Sequence, residues 1–153
     1  MASLLPQPSL WHRVWKGAVI PCPLEEFLLY EFVERMPVNF QPILRSQLAG
    51  YNLVQRDPDS IELRFYRIVR GRVDRSSLPI LPIRAGEVKL LSITAQIPDV
   101  DDPLHASFWA VDRRFFIVNF GCSIKPYKDL PSASIEKTRQ SWRSNVERGL
   151  TTG

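Results

Sequence analysis

The stretch YNLVQRDPDSIELRFYRI, residues 51–68, predicts a β-hairpin. Its two alternating runs are joined by DPDS at residues 57–60, and these residue types are typical of tight turns. Along the second run, apolar side chains alternate with polar ones: Ile61, Leu63 and Phe65 against Glu62, Arg64 and Tyr66. One face of this strand is therefore apolar, and other elements must cover it.

Two helices are predicted before the hairpin. Pro23 suits the first position of a helix, and Pro37 ends that helix after Met36. A second helix is predicted over about residues 41–49, where Gly50 suits the position just beyond the end. Both helices have apolar side chains at helical spacing, so we expect them to cover the apolar face of the hairpin.

Further strands are predicted after the hairpin. One covers residues 87–97, and residues 105–111 and 114–120 form a second hairpin about Asp112-Arg113. The last run is apolar enough to be a central strand. The connection over residues 70–84 is long, which is typical of functional or mobile loops. We expect an α+β fold: N-terminal helices on one face of a four-stranded antiparallel meander sheet, with a C-terminal tail helix.

The predicted organisation has three parts. Residues 1–9 are expected to be a flexible N-terminus, residues 10–130 a single α+β domain, and residues 131–153 a C-terminal helical tail. The tail helix carries only a thin apolar stripe: Ile135, Trp142, Val146 and Leu150. Such a helix is marginal alone and gains stability by docking.

Length and composition are those of an ordinary globular protein. The chain has 153 residues, of which 44% are hydrophobic and 24% charged, so one domain with a sizeable core is expected. No apolar run reaches the roughly 20 residues of a membrane span. We expect a cytoplasmic protein whose Cys22 and Cys122 are free and buried. Residues 51–66 resemble uncharacterised small bacterial proteins, and this resemblance implies no activity. We expect a bacterial protein.

Catalytic and metal-binding patterns are weak. The loop at Asp99, Asp101 and Asp102 precedes His105, but the spacing lacks the glycine and the distal glutamate of a calcium loop, so a solvated acidic turn is expected. A Cys122–His105 pair could form between neighbouring strands, although a structural cysteine is the commoner case. We found no motif for a cofactor or a phosphate loop, and we expect neither an enzyme nor a metal or cofactor site.

The leading hypothesis is stoichiometric binding of another protein, as an adaptor, inhibitor or immunity-like protein. Tryptophan and arginine are enriched at binding hot spots. The candidate binding residues lie in the two terminal segments: Trp11, Trp15, Arg139, Trp142, Arg143 and Val146. A core role for Trp11 and Trp15 is the alternative interpretation, since apolar residues in 10–20 have helical spacing.

The second hypothesis is a nucleic-acid-binding accessory domain. Basic residues and one aromatic residue follow the second strand of the first hairpin into the long connection: Arg64, Tyr66, Arg67, Arg70, Arg72 and Arg75. Arginines neutralise phosphates, and an aromatic ring can stack on a base. The alternative is a solvated strand face whose arginines protect a sheet edge from aggregation. The net charge of +4 is too small to decide between the two.

Overall fold

A computed structural model describes residues 4–6 and 19–130, and the backbone of residues 134–140. The helices are α1, Pro23–Arg35, and α2, Gln41–Gly50. The strands are β1 Leu53–Arg56, β2 Glu62–Tyr66, β3 Ile68–Val69, β4 Arg72–Val73, β5 Glu87–Gln96, β6 Leu104–Val111, β7 Arg114–Asn119 and β8 Ser134–Gln140. A 3-10 turn covers Lys125–Tyr127. Both predicted helices and both predicted hairpins are confirmed.

The main sheet of the described residues has the strand order β1-β2-β7-β6-β5-β8, with every neighbouring pair antiparallel. The α+β class is therefore correct, but the four-stranded meander is wrong. Strand β2 pairs with β7, with Leu63 opposite Val118, and not with the next long strand along the chain. The apolar β7 lies between β2 and β6, in agreement with the prediction that this run forms a central strand. The buried side chains of β2 and β7 share one face, which selects this pairing over the sequential one.

The two helices cover one face of the sheet, which we call the inner face. Phe32 of α1 stacks on Phe108 of β6, with ring centroids 4.4 Å apart, and lies 5.0 Å from Phe115 of β7. Phe65 of β2 is also 5.0 Å from Phe115. All four rings are fully buried. This aromatic cluster joins α1 to three strands and forms the centre of the core.

A buried ion pair fixes the start of α1 against the first hairpin. Glu25 accepts a hydrogen bond from the backbone N–H of Cys22, at 2.8 Å, which caps the helix. Its carboxylate also accepts from Nε of Arg56 at 3.0 Å and from Nη2 of the same side chain. Hydrogen bonding to Glu25 raises the pKa of Arg56. A bidentate partner is what a fully buried carboxylate requires, so the pair determines how α1 meets β1.

The long connection between β2 and β5 is pinned to the domain and is not a free loop. It contains the β3–β4 ribbon, and Leu78, Leu81 and Ile83 are buried in or beside the core. The amide of Gln47 on α2 donates to the carbonyl of Pro79 at 2.7 Å. A Cβ atom at Gly50 would collide with Leu78, so the glycine allows the connection to pass close to α2. The packing of this segment was not foreseen from its Gly and Pro content.

The C-terminal prediction is corrected over residues 134–140. This segment forms β8, which pairs with β5 from Leu91↔Gln140 to Gln96↔Ser134, and is not a helix. The open edge of β5 offers backbone hydrogen bonds that a short helix with a thin apolar stripe cannot match. The remainder of the predicted C-terminal tail, residues 131–133 and 141–153, lies outside the described residues. Of the predicted flexible residues 1–9, only 4–6 are described, and Leu5 is buried in the core.

Within the part of the chain that the structure describes, no helix is both long and apolar enough to cross a membrane. Cys22 and Cys122 are both free thiols. The expectation that both are buried is wrong, because Cys22 is half-buried and Cys122 is exposed. Cys122 follows Gly121 in the turn after β7, which carries it out of the sheet.

Candidate functional site

The sheet face opposite the helices carries a group of half-buried apolar side chains, which we call the outer surface: Tyr66, Trp109, Val111, Phe116 and Ile117. They come from β2, β7 and β6, three neighbouring strands in the interior of the sheet. Their chain neighbours, including Phe65 and Phe108, face the helices and are fully buried. The alternation of a strand therefore places these side chains together on the face that neither helix covers.

A β-bulge explains why two consecutive residues of β7 belong to the outer surface. The register between β6 and β7 passes from Trp109↔Ile117 to Ala110↔Phe115, so Phe116 is an extra residue in the ladder. Without the bulge, strict alternation would turn Ile117 towards the helices if Phe116 faced outwards. The bulge instead keeps Phe115 and Val118 buried while Phe116 and Ile117 both remain half-buried on the other side.

Two cations lie on the aromatic rings of the outer surface. The guanidinium of Arg75 is 4.2 Å from the ring centroid of Phe116 and 6.0 Å from that of Tyr66. Tyr66 and Phe116 themselves meet edge to face, with centroids 5.4 Å apart. The ammonium of Lys89 lies 5.0 Å from the ring of Trp109. These contacts hold long side chains against the rings and pre-order the surface.

Two carboxylates border the centre of this surface. Glu62 accepts hydrogen bonds from Arg64 and, at 3.1 Å, from the side-chain amide of Asn119. No described residue pairs with the exposed carboxylate of Glu87, at the start of β5. Two adjacent depressions of about 320 and 360 Å³ share four lining residues: Glu62, Glu87, Trp109 and Ile117. The centre of the outer surface is therefore apolar, with a negative charge at its border that no described residue neutralises by direct contact.

The arginines of the nucleic-acid hypothesis are divided among three places. Arg64, Tyr66 and Arg75 belong to the outer surface or its border. Arg67 turns towards α2, where its guanidinium donates to the carbonyl of Gly50 at 3.2 Å. The two remaining arginines, Arg70 and Arg72, are exposed on the β3–β4 ribbon. The structure therefore does not bring all of these arginines into one basic stripe.

Most residues of the protein-binding hypothesis lie beyond the described part of the chain. Trp11, Trp15, Trp142, Arg143 and Val146 are all in this group. Arg139 lies in β8 at the register position opposite Ser92, and the structure describes only its backbone.

Sequence reasoning missed Trp109, Phe116 and Glu87. Trp109 lies in a strand with regular alternation, and a large aromatic side chain at one of its outward positions could have indicated a binding surface.

A second feature lies at the end of the sheet, where β6 begins and β7 has ended. Cys122 and His105 line one cavity there, so the structure brings both residues of the Cys–His hypothesis to the same place. Nδ1 of His105 is 3.1 Å from the hydroxyl of Thr94. The nearby acidic turn does not assemble a metal site: within the described ranges, no group of three or more His, Cys, Asp or Glu side chains could hold a metal ion.

No protein-family model matches the chain, and neither a curated protein nor a solved structure shows significant similarity to it.

Proposed function

We propose that the protein acts without catalysis, by binding another protein stoichiometrically through the outer surface. One observation carries the proposal: aromatic and aliphatic side chains gather on the face of β2, β7 and β6 that the two helices leave uncovered, with arginine and lysine stacked on the rings. Protein interfaces combine an apolar, aromatic centre with a charged rim, and Trp, Tyr and Arg are the commonest hot spots. The outer surface has this composition without any contribution from the terminal segments.

The charges at the border specify the partner further. Glu87 has no partner among the described residues, and it borders both depressions beside Trp109. A lysine or arginine side chain entering there would pair with this carboxylate and lie beside apolar side chains of the outer surface. We therefore propose that the partner presents a basic side chain flanked by apolar ones. Free thiols at both cysteines agree with action in the cytoplasm, which we propose as the location.

Nucleic acid is the less favoured partner for the same surface. The rings that could stack on bases, Phe116 and Trp109, already have cations on them. The carboxylates of Glu62 and Glu87 would repel phosphates at the centre of the face. A protein segment with mixed apolar and basic side chains would match both the apolar centre and the carboxylate of Glu87, whereas a polyanion would leave that carboxylate without a cation.

Affinity capture from the native host tests the proposal, with charge-reversed baits for comparison. Glu87→Lys reverses the charge of the exposed carboxylate at the outer surface, and Asp59→Lys makes the same change in the exposed first turn. After nuclease treatment, a partner in equal amount to the bait is expected with the wild-type and Asp59→Lys chains and is expected to be depleted with Glu87→Lys.

A charge-swap experiment then tests the partner's chemistry. Replacing the partner's basic residue by glutamate is expected to weaken binding to the wild-type chain and to restore binding to Glu87→Lys. Equal capture by all three baits would refute a role for the outer surface. Nuclease-sensitive capture of nucleic acid would instead favour the second hypothesis.

A further inference from the structure

The cavity at the end of the sheet has the make-up of a small-ligand site. Its volume is about 530 Å³, within the usual range for ligand pockets. Buried apolar side chains form one part of the lining: Ile97, Leu104 and Phe120. Polar groups form the other part: Asp102, His105, Cys122, Ser123 and Tyr127. An apolar floor with a few converging polar groups at its mouth is the arrangement that orients a bound small molecule.

The polar groups at the mouth include two acceptors without a complete set of partners. The carboxylate of Asp102 is exposed, and no described residue pairs with it. Nδ1 of His105 lies 3.1 Å from the hydroxyl of Thr94, and in the tautomer whose Nδ1–H donates to that hydroxyl, Nε2 is left to accept a hydrogen bond from a ligand. Asp99 and Asp101 lie in the same turn and add negative potential around the opening. The mouth therefore offers the carboxylate of Asp102 to a cationic donor.

We propose that this cavity binds a primary amine attached to a flat apolar body, of the aryl-alkylamine class. The body would lie against Leu104 and Phe120, while the ammonium would donate hydrogen bonds to Asp102 and His105. A carboxylate analogue would be repelled by Asp102. This site shares no lining residue with the two depressions of the outer surface, and the inference is independent of the proposed protein partner.

Titration of the full-length protein with tryptamine tests the inference. Tryptophol, with a hydroxyl in place of the ammonium, and indole-3-propionate, with a carboxylate, serve as neutral and anionic probes with the same ring. Tryptamine is expected to bind saturably, to shift the amide resonances of residues 121–123, and to slow maleimide modification of Cys122. Cys22 provides the internal control, since it lies at the start of α1 outside the cavity.

Two variants identify the charged contact. Asp102→Asn keeps the size of the side chain, and about tenfold weaker tryptamine binding is expected, as for loss of a hydrogen bond to a charged group. Asp99→Asn changes the same turn outside the cavity lining, and binding is expected to stay within about twofold, as for a screened distant charge. No saturable tryptamine binding, equal binding of tryptophol, or equal losses in the two variants would overturn the inference.

Discussion

Gln47 of α2 should be one of the most sensitive polar positions in the protein. Its side chain is fully buried. The amide donates to the carbonyls of Pro79, at 2.7 Å, and Arg113, at 3.3 Å, and the oxygen accepts from the backbone N–H of Phe115 at 2.9 Å. One side chain therefore joins α2 to the long connection, to the turn of the second hairpin and to β7.

The magnitude follows from the groups that lose their partner. Phe115 lies one residue before the bulge, beyond the end of the β2–β7 ladder at Arg64↔Ile117. Gln47→Met fills a similar volume but leaves the buried N–H of Phe115 unsatisfied, which costs about 1–3 kcal/mol. The carbonyls of Pro79 and Arg113 belong to exposed residues and can be hydrated. Gln47→Ala adds a cavity, so about 2–5 kcal/mol is expected in total.

Urea denaturation followed by circular dichroism measures these losses. With a slope of about 2 kcal/mol per molar urea, Gln47→Met should lower the midpoint by about 0.5–1.5 M. Ser46→Ala, an exposed neighbour on the same helix, should stay within about 0.5 kcal/mol of the wild type. A methionine variant as stable as the wild type would refute the argument from hydrogen bonding, and losses confined to Gln47→Ala would assign the role to packing alone.

Three further predictions concern the core, the first turn and the thiols. Phe32→Ala should cost about 3–5 kcal/mol because the ring stacked on Phe108 is fully buried, whereas Phe32→Leu should cost clearly less in the same denaturation experiment. The pKa of Asp57 is lowered. Desolvation of the carboxylate would raise this pKa, but hydrogen bonds donated by backbone N–H groups of the turn outweigh it. A lowered folded-state pKa gives stabilisation that is present at neutral pH and lost as the pH falls below about 4, so Asp57→Ala should weaken this acid dependence in pH-resolved unfolding. Burial of the thiol, and next the negative charge of Glu25, raise the pKa of Cys22 to about 12. Maleimide at pH 8 should therefore modify the exposed Cys122 before Cys22. Equal modification rates of the two thiols, measured by intact-mass kinetics, would contradict the burial of Cys22.

Local features of the fold could be predicted from the sequence. The turn at residues 57–60 forms because Asp57 accepts hydrogen bonds from three backbone N–H groups within five residues. The second turn forms with positive φ at both Asp112 and Arg113, as the two-residue connection of a twisted hairpin requires. Both signals are contained in a few adjacent residues, and both predictions are confirmed.

Features that depend on distant parts of the chain could not be predicted in this way. Nothing near Glu62 indicates that its strand pairs with a segment more than fifty residues later, because that choice depends on the shared inner face. The segment from Ser134 has a weak helical stripe, and only the open edge of β5 makes it a strand. The extra residue of the bulge, Phe116, adds a third aromatic ring to the outer surface beside Tyr66 and Trp109, and periodicity alone does not reveal a bulge.

The most direct test of the central claim is the dissociation constant of the captured partner for the Trp109→Ala variant. Trp109 lines both depressions of the outer surface, so its truncation should cost about 2 kcal/mol or more, about a thirtyfold weaker complex. Val38→Ala, at an exposed apolar side chain outside the outer surface, should leave the constant unchanged. With unfolding curves confirming that both variants are folded, an unchanged constant for Trp109→Ala would contradict the claim that the outer surface is the binding site.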